Sequence, residues 1–258
     1  SVSMCDSPQD SNQEASQEEM PLVAHLIELR TRLMHIIGAT LLVFLALVAF
    51  RNDLYTLLAA PLRSLLPVGS SMVATDITSS FLAPFKLTFF VAFFVAVPYV
   101  LYQIWTFIAP ALYKHEKRLA IPLLVSSVIL FYVGISFAYF VTLGPVLKFF
   151  VSVAPDNVSF MTDINAYLDF CIKFFLVFGF TFEIPVVVLM LIMAGIVDTA
   201  SLAEKRRYII VGCFAIAMFV TPPDALSMTV LAVLMWMLFE VGLFFGKFIE
   251  QRRESAND

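Results

Sequence analysis

Charged side chains are scarce: 14% of the 258 residues are Asp, Glu, Lys or Arg, against about 25% in a soluble domain. Glycine (9) and proline (13) are also few, which excludes collagen-like and low-complexity chains. The net charge of −4 supplies no basic surplus to meet phosphates, so a nucleic-acid-binding role is excluded as well. The three cysteines, Cys5, Cys171 and Cys213, are scattered and form neither a disulfide framework nor a zinc-ligand spacing. The last two lie in apolar runs and read as small buried hydrophobes. What is abundant is hydrocarbon: 60% of the residues are apolar, 27 of them Phe, and the mean hydropathy is +0.91. The class that remains is a polytopic membrane protein.

Asp6, Asp10, Glu14, Glu18 and Glu19 put five negative charges into the first twenty residues, and without them the chain carries +1. Residues 1–20 are polar and free of aromatics, so they are expected to be a disordered acidic tail. With no basic segment followed by an apolar one, they are not expected to act as a cleavable signal. Residues 249–258 read as a short polar tail at the other end.

A bilayer core of about 30 Å needs roughly 20 apolar residues at about 1.5 Å each. Leu33 to Phe50, Leu87 to Ala109, Leu119 to Leu143 and Phe170 to Ala194 meet that requirement. Pro98 and Pro122 are positioned to kink or start the second and third spans. Ile209 to Val220 reaches only about 18 Å, and is either a re-entrant segment or a short span that thins the bilayer. Thr221-Pro222-Pro223-Asp224 then turns the chain into Ala225 to Phe245. Six spans result, leaving two long connections, Arg51 to Lys86 and Gly144 to Asp169.

Lys and Arg set the orientation. One side carries Arg30, Arg32, Lys114, Lys117, Arg118, Lys205, Arg206, Arg207, Lys247, Arg252 and Arg253; the other carries Arg51, Arg63, Lys86 and Lys148. By the positive-inside rule the first side, with both termini, is cytoplasmic.

Enzyme motifs fail on inspection. His115-Glu116 opens an HExxH pattern, but position 119 is Leu; Gly134-Ile135-Ser136 starts a nucleophile elbow, but position 138 is Ala. No phosphate-binding glycine loop is present, so neither enzyme activity, metal nor cofactor is expected. Instead, charged groups gather at the cytoplasmic edge. Glu28 and Arg32 stand at i, i+4 before the first span, while Arg30 points away from that face. Glu116 is a lone carboxylate in a basic loop. Two carboxylates on adjoining elements suit two guanidinium groups, because arginine presents a planar fork that matches a carboxylate. Within the spans, Glu183 costs on the order of 2.5–3.5 kcal/mol to insert and must face a wet cavity or a polar partner. Asp169 and Lys173 read as an i, i+4 ion pair, and Glu240 is placed to pair with Lys247.

Five segments together carry a family resemblance: HLIELRTRL before the first span, LAPFKLTFF at the second, YQIWTFIAPALYKHEKR through the first inner loop, FGFTFEIPV in the fourth span and FVTPPDALS at the short hairpin. Over about residues 20–248 the chain resembles the TatC family, receptors of the twin-arginine protein translocase. The resemblance implies an all-α integral membrane protein of six helices in a concave, glove-like arrangement, its fifth and sixth helices short or poorly spanning. It implies binding of twin-arginine signal peptides through Glu28, Arg30, Phe107 and Glu116 at the cytoplasmic face. It further implies recruitment of TatA and TatB around Met218, Phe219 and Thr221, assembly with other TatC copies, and transport of folded proteins driven by the proton-motive force. Glu183 falls on the concave, translocation-facing side. Pro61, Asp76 and Asp224 fall in an outer cap and read as structural: Pro61 fixing a turn, Asp76 capping a short helix, Asp224 capping the sixth. Met228 departs from relatives that carry Gln there. The rival reading is a proton-coupled secondary transporter with Glu183 at its midplane site.

Overall fold

The structure is a computed structural model that describes residues 9–64, 71–112, 120–155, 161–221 and 224–257. Among them, helices are the only regular elements apart from one isolated bridge. The first, α1 (Gln9–Leu47), passes through a 3-10 turn (Val48–Phe50) into α2 (Arg51–Arg63). It begins inside the acidic stretch expected to be unstructured. Gln, Glu, Ala and Met there are good helix formers, and extending an established helix adds one hydrogen bond per residue without a new nucleus.

The next long helix, α3 (Ile77–Leu112), has 36 residues, about 54 Å, and starts ten residues before the expected span. Asp76 precedes it, so this residue heads a long helix rather than a short one; its carbonyl accepts from Ser79 Oγ at 2.8 Å and Ser80 N at 3.3 Å. The third span is α4 (Ala120–Phe137), a π turn (Ala138–Thr142) and α5 (Leu143–Val153) in sequence. Helix therefore occupies much of both stretches expected to be loops. Val73 and Asp163 form the bridge between what remains of them, and Asp163 caps the next helix through Asn165 N at 3.3 Å.

At two prolines inside these helices, Pro98 and Pro61, tyrosines from another helix replace the missing hydrogen bond. Pro98 has no N–H for the carbonyl of Phe94 four residues back. Tyr132 of α4 donates its hydroxyl to that carbonyl at 2.8 Å. Pro61 lies in the last turn of α2 instead of fixing a turn outside a helix, and the carbonyl it leaves open, Leu57, accepts from Tyr139 at 3.2 Å. The neighbouring Leu58 carbonyl accepts from Tyr167 at 3.0 Å. In hydrocarbon a backbone carbonyl has no water to turn to. Tyr132→Phe is therefore expected to lower stability by about 1–2 kcal/mol, measured as a drop in the unfolding midpoint in detergent; an unchanged midpoint would show that the carbonyl needs no partner.

The fourth span is broken into α6 (Ile164–Thr181) and α7 (Ile184–Met193), with Phe182 and Glu183 at the break and Pro185 in the first turn of α7. Gly195, at φ 69°, ends α7 in the left-handed conformation that glycine takes without penalty. After α8 (Thr199–Glu204), α9 (Arg206–Val220) has 15 residues, about 22 Å, the expected short fifth element. The last helix, α10 (Ala225–Asn257), is 33 residues long. The sixth element is thus long, not short, and residues 249–257 belong to it rather than to a tail. Its apolar stretch runs on into Lys247, Glu250 and Gln251, which are good helix formers, and Arg252 lays its guanidinium over the Phe248 ring at 4.8 Å. Asp224 caps α10 as expected, accepting from Ser227 N at 2.7 Å. Among the described residues, five stretches are long and apolar enough to cross a bilayer: Leu22–Pro61, Ile77–Ile108, Ala120–Val153, Ile164–Met193 and Ala225–Arg252.

Glycines set the closest helix approaches. A Cβ on Gly134 of α4 would lie 2.8 Å from the Phe178 carbonyl of α6, and one on Gly179 would lie 2.7 Å from the Phe131 ring. Gly242 and Gly246, spaced as GxxxG on α10, play the same part against α7, where their Cβ atoms would meet Pro185 and Ile192. Buried Phe131, Phe174, Phe178, Leu143 and Leu168 fill the resulting core, with Cys171 and Cys213 buried as free thiols.

Candidate functional site

Two faces spaced by helical turns meet where α1 leans on α3. On α1, His25, Glu28 and Arg32 lie three and four residues apart; on α3, Tyr99, Gln103 and Phe107 repeat every four, so each trio lines one face. His25 stacks on Phe107 with ring centroids 4.3 Å apart and planes at 26°. Arg32 donates to Glu28 Oε1 through Nε at 3.0 Å and Nη2 at 2.6 Å. Its remaining Nη1 donates to Gln103 Oε1 at 3.0 Å, and Gln103 Nε2 donates to the Tyr99 hydroxyl at 2.8 Å. Two helices and four polar side chains are joined in one chain of hydrogen bonds. Just beyond, a cleft of about 510 Å³ opens between α1 and α3, lined by Thr31, Met34, His35, Gly38, Leu42 and Tyr99.

The i, i+4 pairing of Glu28 with Arg32 is as expected, and Arg30 is exposed off that face. Phe107 joins the same end of the molecule. Glu116 and His115 lie outside the described residues, so the second carboxylate is not placed. Gln103, Tyr99 and His25 were missed as site residues, although their four-residue spacing on α3 and their place on the Glu28 face of α1 were readable.

Glu183 sits at the α6–α7 break and is 9% exposed, among the described residues the one charged side chain in the buried class. Ser127 of α4 donates to its Oε2 at 2.5 Å, while Oε1 is buried without a partner among the described residues. A polar partner within the span was expected; the serine supplies half of one.

At the turn between α9 and α10, Phe219 is 85% exposed and Met218 is exposed beside it. Thr221 is buried, its hydroxyl turned back onto the Ala217 carbonyl at 2.6 Å. Phe219 and Thr221 line a cleft of about 360 Å³ together with Asp169, Lys173 and Phe174 of α6. The expected Asp169–Lys173 pair does not form: Asp169 accepts from Lys86 of α3, which reaches it from a neighbouring helix and leaves Lys173 at the cleft. Likewise Glu240 pairs with Arg206 of α9 at 2.9 Å rather than with Lys247. In both cases tertiary packing offers a partner closer than the one on the same helix.

Long apolar helices, a charged and aromatic patch where α1 meets α3, and a buried carboxylate at a mid-span break define a multi-span membrane protein. The family described as Sec-independent protein translocase protein (TatC) matches residues 24–233. The TatC proteins of Azotobacter chroococcum mcd 1 and Escherichia coli K12 are 56% and 50% identical, over 93% and 90% of this chain and 94% and 90% of theirs. A crystal structure of the twin-arginine translocase receptor TatC superposes with a TM-score of 0.75 at 35% identity, covering 87% of this chain and 98% of that one. The chain belongs to the TatC family, a component of the Sec-independent protein translocase.

Proposed function

We propose that this protein is the twin-arginine signal-peptide receptor of its translocase, set in a bacterial inner membrane with both termini cytoplasmic. The observation that carries the reading is the Glu28 carboxylate, held midway along α1 just before its apolar stretch and beside the stacked His25–Phe107 pair, with one oxygen, Oε2, free of any partner among the described residues. A guanidinium fits such an oxygen in forked geometry, and Glu116 on the following loop would take the second arginine. The basic bias of eleven Lys and Arg against four supports the orientation, since it places Glu28 on the side from which precursors arrive.

Arg30, exposed off the Glu28 face, contributes positive charge to the precursor-facing surface, and Phe107 offers a surface for apolar signal residues. Phe219 and Met218, projecting from the short α9, suit docking of the single-span partners TatA and TatB, with Thr221 shaping the cleft from inside. A 15-residue helix also thins the bilayer locally, which lowers the barrier to moving polar protein past it. Glu183 keeps a polar atom inside the span for a partner helix or a passing chain. Pro61, Asp76 and Asp224 hold the outer end together.

A photoreactive residue at Leu29, exposed and adjacent to Glu28, tests the reading in native membranes. It is expected to crosslink a twin-arginine signal peptide and to lose the crosslink with a twin-lysine peptide. Equal crosslinking of both, or none with the protein correctly inserted, would sink it.

A further inference from the structure

Glu28 is not an empty receptor. Arg32 already occupies it with the same guanidinium chemistry that a signal peptide would bring, and three features of the geometry show how that occupancy can be exchanged. Both Arg32 donors converge on Oε1, so half the carboxylate's acceptor capacity stays open. The Glu28 side chain is 41% exposed against 20% for Arg32, so an incoming cation meets the carboxylate before it meets the guard. Arg32 also has a second acceptor in hand: Gln103 Oε1 takes Nη1 at 3.0 Å, and Tyr99 holds that amide in place from the far side.

Resting on the reading of Glu28 as a signal-peptide carboxylate, we infer that Arg32 is an internal stand-in for the signal-peptide arginine, displaced onto Gln103 when the peptide binds, and that this exchange is what distinguishes arginine from lysine. An incoming guanidinium first takes Oε2 with one N–H. Its parallel second N–H is then aimed at Oε1, and Arg32 yields that oxygen while keeping Gln103. A lysine ammonium concentrates its charge at one point and its donors diverge. It engages Oε2 alone and leaves Arg32 on Oε1, with two cations side by side over one carboxylate. Arg32 is therefore a positioning residue that sets a threshold only a fork can cross, and its presence costs some affinity in exchange for discrimination.

Titrating twin-arginine and twin-lysine signal peptides against the Leu29 crosslinker in membranes containing the full translocase tests this. Arg32→Gln exposes an uncompensated carboxylate that attracts any cation. It is expected to bind the twin-lysine peptide about tenfold more tightly and the twin-arginine peptide no more weakly than the parent, so the preference shrinks about tenfold. Gln103→Leu, which leaves the Glu28–Arg32 pair untouched, removes the acceptor for the displaced guard. It is expected to weaken the twin-arginine peptide about threefold or more, spare the twin-lysine peptide, and have no effect once Arg32 is Gln. If Arg32 merely clamps α1 to α3, both variants weaken both peptides in parallel, and the inference is overturned. If Glu28→Gln leaves binding of the twin-arginine peptide to the otherwise unaltered protein intact, the receptor reading of Glu28 fails first and takes the stand-in with it. Retained twin-arginine selectivity in Arg32→Gln, with Glu28 still required, overturns the stand-in alone.

Discussion

Glu28→Gln is expected to reduce twin-arginine signal-peptide binding by roughly 10- to 100-fold, the range spanned by losing a charge-assisted hydrogen bond worth about 1.5–3 kcal/mol. Export of twin-arginine precursors should fall with it. The variant keeps an acceptor oxygen of the same size, so shape is preserved and only the charge is removed. Stability should hardly change. The Glu28–Arg32 pair is an i, i+4 contact near the surface, and such pairs contribute only about 0.3–0.5 kcal/mol; Arg32 also retains its bond to Gln103. Peptide titration in membranes, run beside protease resistance of the inserted protein, separates the two effects. Parent-like binding by an intact Glu28→Gln protein would remove Glu28 from the recognition surface.

The asymmetry between a cheap fold effect and a costly functional one reflects where information about this molecule lies in its sequence. Apolar runs and the Lys and Arg bias locate the membrane-crossing stretches because hydrocarbon thickness imposes a length that no packing detail can change. The Glu28–Arg32 pair and the Asp224 cap are equally readable, since each depends on residues within one helical turn of each other. What escaped depends on partners distant in the chain. Pro61 and Pro98 look like breakers until Tyr139 and Tyr132, from another helix, satisfy the carbonyls they leave open. Asp169 and Glu240 have plausible partners four and seven residues along, yet packing delivers Lys86 and Arg206 instead. The break at Glu183 and the α7–α10 contact went unread, although Pro185 and the Gly242–Gly246 spacing stand in the sequence as signals of them. Both signals are local; their consequences are not.

Glycine at position 134 illustrates that last point and carries the largest expected effect on the fold. Gly134→Ala adds one methyl group, normally a gain within a helix. Here the new Cβ would lie 2.8 Å from the Phe178 carbonyl and 3.0 Å from the Phe182 side chain. A backbone carbonyl inside α6 cannot rotate away without losing its helical hydrogen bond, so α4 itself must retreat. That movement loosens the packing of Phe131 and Phe178, both about 1% exposed, and draws Ser127, two turns back on the same helix, from Glu183. The carboxylate would then be buried with neither oxygen satisfied by Ser127. Overpacking of this kind costs about 1–3 kcal/mol, and the lost bond to a buried carboxylate about as much again. The unfolding midpoint in detergent is expected to fall by several degrees, with reduced accumulation in the membrane. Gly38→Ala is the matched comparison: its Cβ meets nothing within 4 Å, so the same chemical change should leave stability within about 1 kcal/mol of the parent or raise it. Equal midpoints for the two variants would mean that α4 and α6 do not approach as closely as Gly134 requires, and that Glu183 takes its support from elsewhere.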